Sequence, residues 1–169
     1  MLARSLAALT AAAVIASGAP VQAAKTSLFD RYFGKAVKNS VCYARVYPTS
    51  HFRKHPRQTV KRIWVLRDPA GSGGAVQAGR FEVRLGIRAV DDSNPYTSWA
   101  YCREIANRFN CSVEADGGQF RLTPNRSGGL TLTTGGVTIE GAKRFLSIGE
   151  RGGDDRTFTL PRGAGSACS

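Results

Sequence analysis

The stretch Arg80-Phe81-Glu82-Val83-Arg84-Leu85-Gly86-Ile87-Arg88-Ala89-Val90 decides the fold class. Phe81, Val83, Leu85, Ile87 and Ala89 alternate with Arg80, Glu82, Arg84, Gly86 and Arg88. Successive side chains of a β-strand point to opposite faces. A period of two therefore puts the five apolar groups on one face and the charged groups on the other. Upstream, Val60 to Arg67 holds Ile63, Trp64, Val65 and Leu66 and reads as a second strand. The Asp68-Pro69-Ala70-Gly71-Ser72-Gly73-Gly74 run between the two is turn chemistry, so the pair reads as a long-looped hairpin.

Further upstream, Val41 to Tyr47 is rich in valine and tyrosine and is stopped by Pro48, which again reads as a strand. Before it, Leu28, Phe29, Tyr32, Phe33 and Val37 are spaced at three and four residues, the period of a helix, with Ser27 placed to cap it. Gly34 argues that this helix is short.

Downstream, Trp99, Cys102, Ala106 and Phe109 fit a helical stripe, yet Ser98 to Arg103 also reads as a strand. The strand is preferred because a Cys102–Cys111 bridge would staple a hairpin there. Three glycine-centred hairpins follow. Cys111–Ala115 and Gln119–Thr123 flank Asp116-Gly117-Gly118, and residues 130–133 and 137–140 flank Thr134-Gly135-Gly136. Residues 144–148 and 156–160 flank the Gly149–Asp155 loop. Short strands at this spacing predict an all-β chain: an antiparallel barrel or two-sheet sandwich of about 8–10 short strands with a short N-terminal helix.

The first residues stand apart. Arg4 is followed by an apolar run from Leu6 to Ala16, a break at Ser17, Gly18 and Pro20, and small residues around Val21-Gln22-Ala23. That order is the pattern of a secretory signal, so residues 1–23 are expected to be removed and 24–169 to form a single β-rich, disulfide-stapled domain. The apolar core is about 11 residues, short of the roughly 20 a membrane span needs, so no transmembrane anchor is expected. Cys42 is the first cysteine and lies far from the cleavage site, which argues against lipid attachment there. The expected location is periplasmic or secreted.

Four cysteines in an oxidising compartment read as two disulfides, with three connectivities open. Cys102–Cys111 closes a short segment, and Cys42–Cys168 would tie the first strand to the C-terminal tail. This pairing is preferred over zinc, because no C-x-x-C spacing occurs.

No constellation for catalysis stands out. His51 and His55 are four apart, but Phe52 occupies the position where a zinc protease needs Glu, and Arg53, Lys54 and Pro56 oppose a metal-binding helix. No G-x-S-x-G elbow is present. The carboxylate pairs Asp91-Asp92, Asp154-Asp155 and Glu114 with Asp116 fall in turn-like sequence, where Asp commonly serves the turn itself. No cofactor or metal is expected.

Charge is the most specific signal. The chain has 24 Lys and Arg against 12 Asp and Glu, a net charge of +12. Between Asp30 and Asp68 there are ten cations and no acid, interleaved with Tyr43, Tyr47, Phe52 and Trp64. Arg45, Arg53, Lys54, Arg57, Lys61, Arg62 and Arg67 are the candidate polyanion-binding residues, since the guanidinium fork matches carboxylate and phosphate oxygens. The competing interpretation is a solvated face that aids solubility. Export makes anionic lipid headgroups or surface polysaccharide the expected partners, and nucleic acid an unexpected one. The expected function is thus an exported basic binding module. The alternatives are a small hydrolase with a site assembled from scattered residues and a structural cell-envelope protein without a specific ligand.

The run Cys42-Tyr43-Ala44-Arg45-Val46-Tyr47, with His55-Pro56-Arg57-Gln58, Cys111-Ser112-Val113-Glu114 and Asp116-Gly117-Gly118, resembles a group of exported bacterial proteins with no assigned function. The likeness extends to Asp154-Asp155, Phe158-Thr159-Leu160 and the last cysteine. It implies export and no particular activity. That group carries a further cysteine near Ala115, absent here, so its pairing does not transfer to this chain.

Overall fold

The alternating stretch becomes β3 (Arg80–Ala89), and Phe81, Val83, Leu85, Ile87 and Ala89 are all buried. The computed structural model describes residues 26–34, 40–67, 80–150 and 153–169. In it β3 lies between β2 (Val60–Arg67) and β4 (Pro95–Ile105), antiparallel to both. The leader, the Asp68–Gly74 turn and Val37 fall outside the described residues. The segment with two readings, Ser98 to Arg103, is part of β4, a strand.

Seven more strands complete the sheet: β1 (Val41–Val46), β5 (Arg108–Val113), β6 (Gly118–Pro124), β7 (Leu130–Glu140), β8 (Phe145–Ile148), β9 (Thr157–Leu160) and β10 (Arg162–Gly163). Among the described residues, all ten lie in one antiparallel sheet of order β10-β1-β2-β3-β4-β5-β6-β7-β8, with β9 also on β7. The chain is therefore all-β. Among the described residues there is no second sheet to make a sandwich, and the sheet remains open rather than closing as a barrel. Its two ends are nonetheless laced together. β9 pairs with β7, β10 pairs with β1, and only Pro161 separates them, its carbonyl accepting a hydrogen bond from the Ala44 N–H at 3.1 Å. Proline has no N–H to donate, which interrupts the ladder at that point.

Two of the expected hairpins are not formed. Thr134-Gly135-Gly136 is no turn: β7 runs straight through it, and the ladder to β6 shifts register between Gln119 and Phe120. Glycine favours turns, but it equally permits a bulge within a long strand. Likewise β8 and β9 do not pair with each other. Both pair with β7, one after the other. The turn after β5 does form, with a hydrogen bond from the Gly117 N–H to the Glu114 carbonyl. Ala115 (φ 51°) and Asp116 (φ 61°), rather than the glycine pair, occupy its left-handed centre.

The inward faces meet in one apolar core in which Ile63, Val83, Phe109, Leu122, Leu132 and Leu160 are fully buried. Each such side chain contributes about 1.5–3 kcal/mol relative to exposure. One end of the core is covered by α1 (Leu28–Phe33), the helix expected from the three-and-four spacing. Ser27 caps it by accepting from the Asp30 N–H at 2.9 Å. Glu104 of β4 accepts from the Leu28 and Phe29 N–H groups at 3.1 and 3.0 Å, so a carboxylate sits at the helix N-terminus. Phe33 packs on Phe81 and Phe109, with ring centroids 4.9 and 5.3 Å away. The Tyr43 hydroxyl, pushed up to about 12 chiefly by burial, donates to the Tyr32 carbonyl at 2.7 Å.

Both expected disulfides are present. Cys102 and Cys111 lie opposite each other in the β4–β5 hairpin, and Cys42–Cys168 ties β1 to the C-terminal 3₁₀ turn Gly165–Cys168. Such bridges belong to a chain matured in an oxidising compartment. No helix among the described residues is long and apolar enough to cross a membrane. The C-terminal turn covers a small second core on the outer side of the sheet, where Trp64 is buried with Cys42, Ala44 and Cys168. Trp64 lies opposite Gly86 of β3.

Asp155 anchors the chain just before β9. It is buried, and its carboxylate accepts from Thr59 N (2.7 Å), Thr59 Oγ1 (2.6 Å) and Val60 N (3.2 Å) at the start of β2. Truncating it leaves buried donors unmatched, at a cost of about 3 kcal/mol. Asp155→Ala is expected to lower Tm by roughly 10 °C, and Asp155→Asn by less, as measured by scanning calorimetry. An unchanged Tm for Asp155→Ala would remove this anchor from the account.

Candidate anion-binding surface

The seven cations singled out from the sequence do not form one face. Arg45, Arg53, Lys54, Arg57 and Lys61 are exposed on or beside the connection from β1 to β2, which contains the short helix α2 (Thr49–Phe52). Arg45 sits over the Tyr47 ring at 5.4 Å, and Arg57 reaches Asp154 at 3.5 Å. Arg62 is committed to structure. It stacks over Trp64 at 5.1 Å and donates to the carbonyls of Ala167 and Ser166, clamping the C-terminal turn. Burial, and then the neighbouring Arg88, lower its pKa. Arg67, at the far end of β2, is only 4 % exposed and lies over the Phe29 ring at 5.0 Å, its pKa lowered by burial. Lys35 and Lys38 fall outside the described residues. A contiguous basic sequence is dispersed because alternate strand residues face opposite sides and the eight residues of β2 span about 25 Å.

The other candidate residues serve the fold. His51 is stacked between Tyr47 and His55, with centroids 4.5 and 4.2 Å away, and its Nε2 pairs with Gln58 Oε1 at 2.9 Å. Among the described residues no group of three or more His, Cys, Asp or Glu is placed to hold a metal ion. Asp91 binds Arg144 at 2.7 Å, and Asp92 accepts from the Asn94 N–H and the Tyr96 hydroxyl. Both carboxyls are held below their ordinary range, Asp91 first by the hydrogen bond from Arg144 and Asp92 first by the Asn94 N–H.

A different set of cations is brought together by strand register. Arg80 lies opposite Arg103, Arg103 opposite Asn110, Asn110 opposite Arg121, and Arg121 opposite Thr133. Phe81, Cys102, Phe109, Phe120 and Leu122, the neighbours of these residues along the strands, are buried, so the row faces outward. Arg156, next to Thr157 opposite Thr133, extends it. Adjacent members are about 5 Å apart, so Arg103 and Arg121 are separated by roughly 10 Å. Among the described residues none of Arg80, Arg103, Arg121 and Arg156 pairs with a carboxylate. Two guanidinium groups directly opposite each other on neighbouring strands are destabilising unless an anion relieves them. In the next row Tyr101, about half exposed, is followed by Ser112 and Gln119.

At the end of this row lies a groove of about 540 Å³ lined by Asn110, Gln119, Arg121, Thr133, Thr134, Gly135, Gly136 and Arg156. It opens where β7 bulges and where the chain leaves β7 between β8 and β9. Thr134 stabilises the bulge: its Oγ1 donates to the Gln119 carbonyl at 2.9 Å and accepts from the Gly136 N–H at 3.0 Å. A second concavity of about 410 Å³, between Lys61, Arg88 and the Asp91–Ser93 turn, mixes both charges.

Sequence reasoning passed over Arg103, Arg121 and Arg156 because they are isolated cations in separate segments. Arg103 and Arg121 each hold the polar phase of an alternating pattern, and only the register reveals that they are neighbours. No known protein family, curated protein or solved structure matches this chain.

Proposed function

We propose that this chain is an exported binding module that holds an anionic surface polymer across the outer face of β3 to β7. The observation that carries this is the row Arg80, Arg103 and Arg121, mounted on strands, with Arg156 in the turn just before β9 beside it, none of them with a carboxylate partner among the described residues. The ladder fixes the spacing of their Cα atoms, and among the described residues they have no ion pair to give up, which favours them over the cations of the β1–β2 connection, where Arg57 already has Asp154. Surface polysaccharide suits the row better than lipid headgroups, because the row carries no apolar group to enter a bilayer.

Retention on immobilised heparin, followed against salt concentration, tests this. Each lost guanidinium contact costs about 1 kcal/mol, so Arg80→Gln/Arg103→Gln/Arg121→Gln is expected to weaken binding by roughly 100-fold and to flatten the salt dependence. Arg53→Glu/Lys54→Glu/Arg57→Glu is the control. If that variant alone loses retention, the row is not the site. If neither does, the binding module is refuted.

A further inference from the structure

We infer that the groove beside Gly135 and Gly136 is a subsite for one acidic sugar unit, a hexuronate or a sulfated hexose, of that polymer. The inference rests on the polymer-binding reading and assigns its most selective contact. The groove volume of about 540 Å³ falls within the usual range for small-ligand sites, so it holds a sugar unit rather than a lone ion. Arg121 comes to it from β6 and Arg156 from the turn immediately before β9, so two guanidinium-bearing residues line one space. A planar carboxylate or a sulfate accepts paired N–H donors from such forks. The remaining polar lining is neutral: the amides of Asn110 and Gln119 and the hydroxyls of Thr133 and Thr134. Those groups both donate and accept, which is what a ring of sugar hydroxyls requires. The lining offers no exposed aromatic face on which a nucleobase would stack, since Phe120 is buried. Gly135 has open space where a Cβ would stand, so a side chain placed there enters the groove without disturbing the fold.

Calorimetric titration of the full chain with trigalacturonate, a sulfated trisaccharide and neutral maltotriose tests the assignment. Either acidic trisaccharide is expected to bind, with the carboxylated and sulfated arms telling the two sources apart, and maltotriose at least tenfold more weakly. Arg121→Gln, Arg156→Gln and Gly135→Phe are each expected to weaken the acidic ligand about tenfold or more at unchanged Tm. Arg80→Gln/Arg103→Gln should reduce heparin retention and leave trisaccharide affinity unaltered. Heparin retention that depends on Arg80 and Arg103, with no trisaccharide binding at millimolar concentration, overturns the subsite and leaves the surface reading standing. Trisaccharide binding with no polymer retention refutes the surface reading instead. Equal affinity for maltotriose, or insensitivity to all three groove variants, also overturns the subsite.

Discussion

Gly86→Val is expected to abolish the folded state. The Cβ of any residue at position 86 would fall inside the indole ring of Trp64, which lies opposite it in the ladder. Neither group has room to retreat. The backbone of β3 is bonded on both sides, and the indole is held from above by Arg62 and the C-terminal turn. Overpacking of a core that relaxes costs about 1–3 kcal/mol, and here relaxation is blocked. A loss above about 4 kcal/mol consumes most of the stability of an ordinary domain. Soluble yield and the far-ultraviolet β-signal are both expected to collapse. Trp64→Leu in the Gly86→Ala background should recover much of both, since it removes the atoms that collide. A Gly86→Val protein that melts like the parent would show that the indole does not occupy this position.

The second large effect is expected from Cys42→Ala/Cys168→Ala. This bridge closes a separation of 126 residues, against 9 for Cys102–Cys111. By loop entropy the long one is worth about 5 kcal/mol and the short one roughly 2.5 kcal/mol. Losing the long bridge also frees the turn that covers Trp64, so the emission of that indole should shift to the red as it meets water. Trp99, half-buried on β4 under Arg84 at 4.7 Å, is separated from Cys42 by β2 and β3 and serves as the steadier background. Chemical denaturation followed by fluorescence checks both parts. A midpoint and spectrum equal to those of the parent would refute the role of the tail as a cover.

The sequence was most legible where chemistry acts locally. Period-two alternation in residues 80–89, the capped helix after Ser27 and the hairpin beneath Cys102 and Cys111 each follow from neighbours along the chain. The Gly135-Gly136 pair misled, whereas the turn at Gly117 formed as expected. Gly135 reads as the corner of a hairpin, yet it sits inside an eleven-residue strand, because its partners β6, β8 and β9 support a bulge there. The shared pairing of β8 and β9 with β7 was not legible, nor was the anchoring of Asp155 on the N–H groups of Thr59 and Val60, because both depend on contacts distant in sequence. The basic cluster was visible as composition only. Arg62 and Arg67 went to the fold, while the outward row is drawn from positions 80, 103, 121 and 156, whose adjacency is a property of register. Register is set by long-range pairing, and no single stretch of sequence records it.

The lacing of the two sheet ends by Thr157–Gly163 has a kinetic corollary. β9 and β10, which shield the outer ladders of β1 and β7, follow the other eight strands in sequence, and Cys42 meets Gly163 only after the strands between them are available. Loops of that span close slowly, so maturation is governed by late, distant encounters rather than by local hairpins. Until they occur, two valine- and leucine-rich edges stand bare, each able to template pairing with another molecule. A nascent chain halted before Thr157 would therefore be a ready substrate for holdase chaperones and for self-association.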